Sequence, residues 1–167
     1  MKLLVNDLSS SDEVDGNGDY IHIQCAGIVA RNGGQEASAD TSNGSSLVVS
    51  GCTNNGSFPG EKSGGICGHS CFQRNSNTTN TVTSCNNYGT IVGDYSGGIC
   101  AGWIAQNTGR VEISSCNNEG DISGSYSGGI CGSHIGKSGG NVEISNCTNN
   151  GYITGTDCGG ICGPGVG

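Results

Sequence analysis

Val111-Glu112-Ile113-Ser114-Ser115-Cys116-Asn117-Asn118-Glu119-Gly120-Asp121-Ile122-Ser123-Gly124 returns 31 residues later as Val142-Glu143-Ile144-Ser145-Asn146-Cys147-Thr148-Asn149-Asn150-Gly151-Tyr152-Ile153-Thr154-Gly155. Working outward from this pair, Cys52, Cys85, Cys116 and Cys147 form a series with separations of 33, 31 and 31 residues. A second series, Cys67, Cys100, Cys131 and Cys162, keeps the same separations, and each member lies 15 residues behind its partner in the first. A fixed period of this length is the signature of a stacked-repeat architecture. Within the unit, Val111 and Ile113 alternate with polar neighbours, which is the period of a half-buried strand, and no stretch keeps helical spacing.

One unit contributes only Val111, Ile113, Ile122, Ile130 and Ile135 to an interior, too little to stabilise it alone. Each strand must therefore pair with its equivalent about 4.8 Å above and below. The expected fold is all-β, a right-handed parallel β-solenoid of about four to five coils with a repeat of roughly 31 residues. Residues 45–167 form the four-copy repeat region. Residues 1–44 are expected to hold an N-terminal cap and a degenerate first coil around Gly27-Ile28-Val29-Ala30, with a polar insertion of about seven residues within Arg31 to Gly44.

Bulk composition agrees with a thin fold. Only 32% of the 167 residues are hydrophobic and 33 are Gly, so a thick conventional core is out of reach. Six Lys and Arg against 14 Asp and Glu argue against a phosphate-tracking surface, and nucleic acid is not an expected partner. No run approaches the roughly 18 apolar residues of a membrane helix. Met1 to Asp7 is too short and too polar for the core of a signal peptide.

Recurrent positions define the coil. Gly56, Gly89, Gly120 and Gly151 close the first turn, and Gly64-Gly65, Gly97-Gly98, Gly128-Gly129 and Gly159-Gly160 precede an Ile. Such glycines mark either corners with positive φ or close backbone approach. Asn54, Asn87, Asn118 and Asn149 recur two residues after the first Cys. They fit either left-handed turn residues or an amide ladder running from coil to coil.

The repeat core, Gly65-Ile66-Cys67-Gly68, Gly98-Ile99-Cys100-Ala101, Gly129-Ile130-Cys131-Gly132 and Gly160-Ile161-Cys162-Gly163, resembles the GLUG-type glycine-rich repeat of bacterial surface proteins. The likeness covers about residues 45–167. It implies a stalk or display surface in an exported protein, on the cell surface or outside the cell, and not a catalytic mechanism. Cys in the third place departs from the aliphatic core of that repeat.

The candidate chemistry is sparse. The paired cysteines fit disulfides across each coil (Cys52 to Cys67, Cys85 to Cys100, Cys116 to Cys131, Cys147 to Cys162) or two columns of buried thiols. Eleven cysteines leave at least one unpaired within the chain. Cys71 falls at the position of Ile104 and Ile135, an inward place, and Cys158 replaces Ser63, Ser96 and Ser127 at a corner or surface. Cys67-Gly68-His69-Ser70-Cys71 lacks the ligand number of a zinc site and the helix of a redox pair.

Asp15, Asn17 and Asp19 alternate like calcium ligands, but Tyr20 and Ala26 stand where an EF-hand-type loop needs Gly and a carboxylate. His22, His69 and His134 show no recurrent partner for nucleophilic catalysis. No cofactor and no enzyme activity are expected. The reading is a structural or adhesive module that associates end to end or with a surface partner. The alternative is an ice- or carbohydrate-binding solenoid. Outward positions such as Ser57, Thr90, Asp121 and Tyr152 are too varied for a regular ice-matching array, and Tyr88, Tyr95, Trp103, Tyr126 and Tyr152 would serve glycan stacking if they shared a face.

Overall fold

A computed structural model describes residues 2–6, 9–10, 28–29, 46–73 and 79–167. Asp15, Asn17, Asp19 and His22 lie outside the described residues, as does the whole of Arg31 to Gly44, where the polar insertion is expected. The described residues are all-β and build a parallel β-solenoid from three sheets. The first sheet contains β1 (Lys2–Asn6), β3 (Ser46–Ser50), β6 (Asn80–Thr83), β9 (Arg110–Ser114) and β12 (Asn141–Ser145). The second contains β2 (Ser9–Ser10), β4 (Thr53–Asn54), β7 (Asn86–Asn87), β10 (Asn117–Asn118) and β13 (Thr148–Asn149). The third contains β5 (Phe58–Pro59), β8 (Ile91–Val92), β11 (Ile122–Ser123) and β14 (Ile153–Thr154).

In every sheet the strands follow one another in chain order, each pairing in parallel with its equivalent in the next pass. The in-register partners are chemically alike. Val111 faces Val142, Ile113 faces Ile144 and Ile122 faces both Ile91 and Ile153. β1 and β2 join the same sheets through Lys2↔Ser46 and Ser9↔Thr53, so these two strands extend the ladders by one pass. Val29 pairs with Cys67, which makes Ile28-Val29 the equivalent of Ile66-Cys67.

Alternation along β9 puts Val111 and Ile113 inside and Arg110 and Glu112 outside. The interior is a narrow apolar column of Val49, Val82, Ile113, Ile66, Ile99 and Ile130 with both cysteine series, and Cys71, Ile104 and Ile135 complete it as their shared position requires. Phe58, Ile91 and Ile122 form a second, smaller core behind the third sheet.

Corners and glycines divide the work in a way the sequence pattern does not reveal. Left-handed backbone falls on Gly51 and then on Ser84, Ser115 and Asn146, immediately before each Cys of the first series. It falls again on Lys62, Tyr95, Tyr126 and Asp157, with φ between 55° and 61°. A non-glycine residue in this region is costly by itself, and the register bonds on either side hold it there. Ser84 N–H, for example, donates to the Ser114 carbonyl at 3.0 Å.

The turn glycines Gly89, Gly120 and Gly151 serve close approach instead, while Gly93, Gly124 and Gly155, which also recur, combine close approach with positive φ. A Cβ on Gly120 would lie 2.0 Å from the Gly89 carbonyl oxygen, and one on Gly89 would lie 1.8 Å from that of Gly56. The stacking distance is thus set where backbone meets backbone.

Two glycines at one repeat position differ sharply in this respect. A Cβ on Gly129 would sit 2.2 Å from the Gly160 carbonyl oxygen, whereas one on Gly160 meets nothing within 4 Å. Gly129→Ala is expected to destabilise the chain by about 3 kcal/mol, the upper end of overpacking costs, through forced displacement of backbone. Gly160→Ala should change stability by no more than about 1 kcal/mol. Equal effects in urea unfolding would refute the close-approach role.

Candidate functional site

Three main side-chain arrays and one shorter hydroxyl ladder run parallel to the stacking direction, and each is positioned by the same registered turns. The first is made of amides. Asn54 Nδ2 donates to Asn87 Oδ1 at 2.6 Å, Asn87 Nδ2 to Asn118 Oδ1 at 2.7 Å, and Asn118 Nδ2 to Asn149 Oδ1 at 2.7 Å. Each Nδ2 also donates to the carbonyl of the turn glycine two residues on, Gly56, Gly89, Gly120 and Gly151. None of the four has positive φ, so the ladder, and not a left-handed turn, is why Asn recurs. Asn54, Asn87 and Asn118 are fully buried. Asn87 and Asn118 are satisfied by an identical amide on each side, whereas Asn54 has one on the Asn87 side and its Oδ1 accepts from Gly56 N–H at 3.1 Å.

A shorter hydroxyl ladder marks another corner. Ser63 N–H donates to Ser96 Oγ and Ser96 N–H to Ser127 Oγ, both at 3.1 Å. All three serines are buried, so the position is an interior corner and not a surface. Cys158 takes the next place and donates to the Gly124 carbonyl at 3.2 Å.

The second array is sulfur. All ten described cysteines are reduced thiols, and no disulfide crosses a coil among the described residues. In the first series Cys52, Cys85, Cys116 and Cys147 each donate Sγ–H to the carbonyl two residues earlier, at 3.2 to 3.4 Å. In the second, Cys67, Cys100, Cys131 and Cys162 are successive parallel rungs. Cys67, Cys100 and Cys131 are fully buried, while Cys162 is half-buried.

Neighbouring thiols are coupled along both series: in the first, the bond with Cys116 lowers Cys85 and raises Cys116 in turn. The bond with Cys100, then burial, pushes Cys67 up, and bonds with Cys100 and Cys162 do the same to Cys131. Cys100 accepts from Cys131 and Cys67 and is lowered to about 5, while Cys131 lowers Cys162.

The third array is aromatic and half-exposed. Tyr95 stacks on Tyr126 at 5.1 Å and 9°, and Trp103 stacks on His134 at 4.6 Å and 4°. His69 tilts against Trp103, Tyr95 leans against Trp103, and Lys62 Nζ lies 5.7 Å from the Trp103 ring centre. The left-handed corner at Lys62, Tyr95 and Tyr126 and the left-handed Trp103 and His134 present these rings side by side. His69 Nδ1 also meets Ser70 Oγ at 2.7 Å. Burial, with Lys137 nearby, pushes His134 below the ordinary imidazole value.

Of the five aromatic residues the sequence offers as a platform, Tyr95, Trp103 and Tyr126 come together. Tyr88 and Tyr152 are exposed and make none of these ring contacts. His69 and His134 complete the cluster: His134 stands 31 residues after Trp103, at the same repeat position, which is the signal that marks it, whereas His69 lies one residue nearer its Cys rung and has no such signal. The outward rows remain irregular. Glu112 stands in register between Thr81 and Glu143, and Glu119 accepts from Asn117 at 2.6 Å and Asn150 at 2.9 Å.

No three His, Cys, Asp or Glu side chains converge on a metal position among the described residues. No described helix is long and apolar enough to cross a membrane. Compared with known proteins, the chain matches no family, no curated protein and no solved structure.

Columns of reduced thiols predict an ordered pattern of alkylation. Brief treatment of the native chain should modify Cys147, Cys158 and Cys162 and spare Cys52, Cys67, Cys71, Cys85, Cys100, Cys116 and Cys131 until it unfolds. Peptide mass mapping reads this directly. Recovery of Cys52 joined to Cys67, or Cys116 to Cys131, would contradict it.

Proposed function

We propose that the chain is a structural or adhesive repeat module, a rod segment of a surface protein or self-assembling filament, and not an enzyme. The observation that carries this reading is the buried amide ladder running alongside three parallel sheets, because such an interior commits its polar groups to holding one pass of chain to the next. The partner separations of 33, 31 and 31 residues in that ladder support stacking of about four to five coils on a unit of roughly 31 residues, and we take the hand of the solenoid to be right. Resemblance to the GLUG-type repeat extends the proposal to a place on the cell surface or outside the cell.

End-to-end self-association is part of the same proposal. Ile144 and Ile153 on β12 and β14 are partly exposed, whereas their equivalents Ile113 and Ile122 are buried by the next strand. A second copy continuing the ladders at this edge would bury them and pair the outer backbone groups of β12 to β14.

A second reading, a carbohydrate-binding solenoid, is favoured by the cluster of Tyr95, Trp103 and Tyr126. It is the weaker one, because Tyr95 and Tyr126 turn their ring faces toward each other and leave mainly edges for a sugar. The ice reading gains nothing from outward rows as mixed as Ser46, Arg110 and Asn141.

Electron microscopy of the purified chain over a concentration series tests the rod. Particles should lengthen along one axis as concentration rises, and Ile144→Asp should hold them at single-chain length. Monodisperse short particles at every concentration would overturn self-assembly, and specific retention of a glycan abolished by Trp103→Ala would favour the second reading.

A further inference from the structure

Among the described residues Asn is followed by Gly at Asn55-Gly56 and at Asn150-Gly151, and the two pairs occupy one repeat position. The passes between them carry Tyr88 and Glu119 at the Asn place, which offer no amide. An Asn-Gly pair is open to attack on the side-chain amide by its own backbone, because the next nitrogen can close a five-membered ring and glycine puts no side chain in the way.

The two pairs differ in what holds the glycine nitrogen. Gly56 is buried, its N–H donates to Asn54 Oδ1 at 3.1 Å, and its carbonyl accepts from Asn54 Nδ2 at 2.8 Å. Gly89 lies over it so closely that a Cβ there would stand 1.8 Å from the Gly56 oxygen. Turning the Gly56 nitrogen toward Asn55 would therefore break the end of the amide ladder. At the other pair, β13 is the outermost strand of its sheet, Asn150 is exposed and Gly151 is half-exposed. Gly151 N–H makes a long bond of 3.4 Å to the Asn118 carbonyl, which already accepts from Asn150 N–H at 2.8 Å.

We propose that Asn150 is a site of spontaneous covalent modification, deamidating through a cyclic imide while Asn55 is spared. Water or hydroxide takes the proton of Gly151 N–H, the nitrogen bonds to Asn150 Cγ, and the Cγ–Nδ2 bond breaks to release ammonia, which carries a proton away. One water then opens the ring at either carbonyl. The product is aspartate at position 150 or, with the peptide bond running through Cγ, isoaspartate. The step needs no oxidant and no metal.

The product bears on the pass that carries it. Asn150 Nδ2 donates to Glu119 Oε1 at 2.9 Å, and a carboxylate at 150 replaces that bond with two like charges side by side. In the isoaspartate form the backbone gains one carbon just before Gly151, where Asn149 Nδ2 holds the Gly151 carbonyl at 3.0 Å and Gly151 packs on the backbone of Gly120. Backbone contact leaves no room for that carbon. The strand that follows, β14, then loosens from β11, where Ile122 and Gly124 N–H donate to the Tyr152 and Thr154 carbonyls at 2.8 and 2.9 Å.

The test uses the full chain, reduced, dilute enough to stay single and aged at mildly alkaline pH, with peptide mapping by tandem mass spectrometry. In urea Asn55 and Asn150 should lose their amides at similar rates, since their neighbours in sequence are alike. In the folded chain Asn150 should react about tenfold faster or more, because Asn55 must wait for local opening. Hydrogen exchange at Ile122 and Gly124 should quicken in the isoaspartate-bearing chain, while Asn86 N–H, bonded to the Cys52 carbonyl, keeps its rate.

Equal rates in the folded chain, Asn55 ahead of Asn150, or no loss at Asn150 over the time both react in urea would overturn the proposal. Unchanged exchange at Ile122 and Gly124 once isoaspartate has formed would refute the loosening of β14.

Discussion

A parallel rung can be repeated only if the group above offers what the group below requires, at a spacing of about 4.8 Å fixed by the backbone. Asn118 shows the constraint at its most demanding. Its side chain is shut off from solvent, and both ends of its amide are met because Asn87 and Asn149 occupy the same place one pass below and above. A different residue at any one position would leave a buried donor or acceptor unmatched, at a cost of about 1–3 kcal/mol. The fold thus depends less on the size of its apolar core than on sameness from pass to pass.

The same constraint accounts for the glycines and the corners. Where Gly120 passes over the Gly89 carbonyl there is no space for a Cβ, so the turn glycine is a spacer for backbone contact. Ser115 and Asn146 accept a left-handed conformation that Gly51 adopts with less strain, because ladder bonds on each side pin the corner. Close stacking, in turn, lines the interior sulfurs into columns. Cys67, Cys100, Cys131 and Cys162 are neighbours because the chain repeats, although no two of them are close in sequence.

Much of this is legible in the order of the residues. Val111 and Ile113 announce a strand by alternation, and the recurrence of Asn and Gly two and four residues after Cys announces a turn that stacks. The inward place of Cys71 follows from its alignment with Ile104 and Ile135. What the residue pattern leaves open is which of two sound roles each recurrent residue plays. Asn can take a left-handed turn or join a ladder, and Gly can supply positive φ or space; only the register decides. The His69, Trp103 and His134 cluster is legible only in part. His134 occupies the repeat position of Trp103, 31 residues on, and stacks on it, whereas His69 lies one residue off that position and meets Trp103 through a shift between passes.

Nuclear magnetic resonance of the side-chain amides reaches the central claim most directly. With the ladder intact, the Nδ2 protons of Asn87 and Asn118 should exchange with solvent orders of magnitude more slowly than a free side-chain amide, and each should show a cross-peak to the Asn of the adjoining pass. Rapid exchange at both, with contacts confined to each residue's own turn, would contradict the stacked, in-register arrangement on which everything else rests.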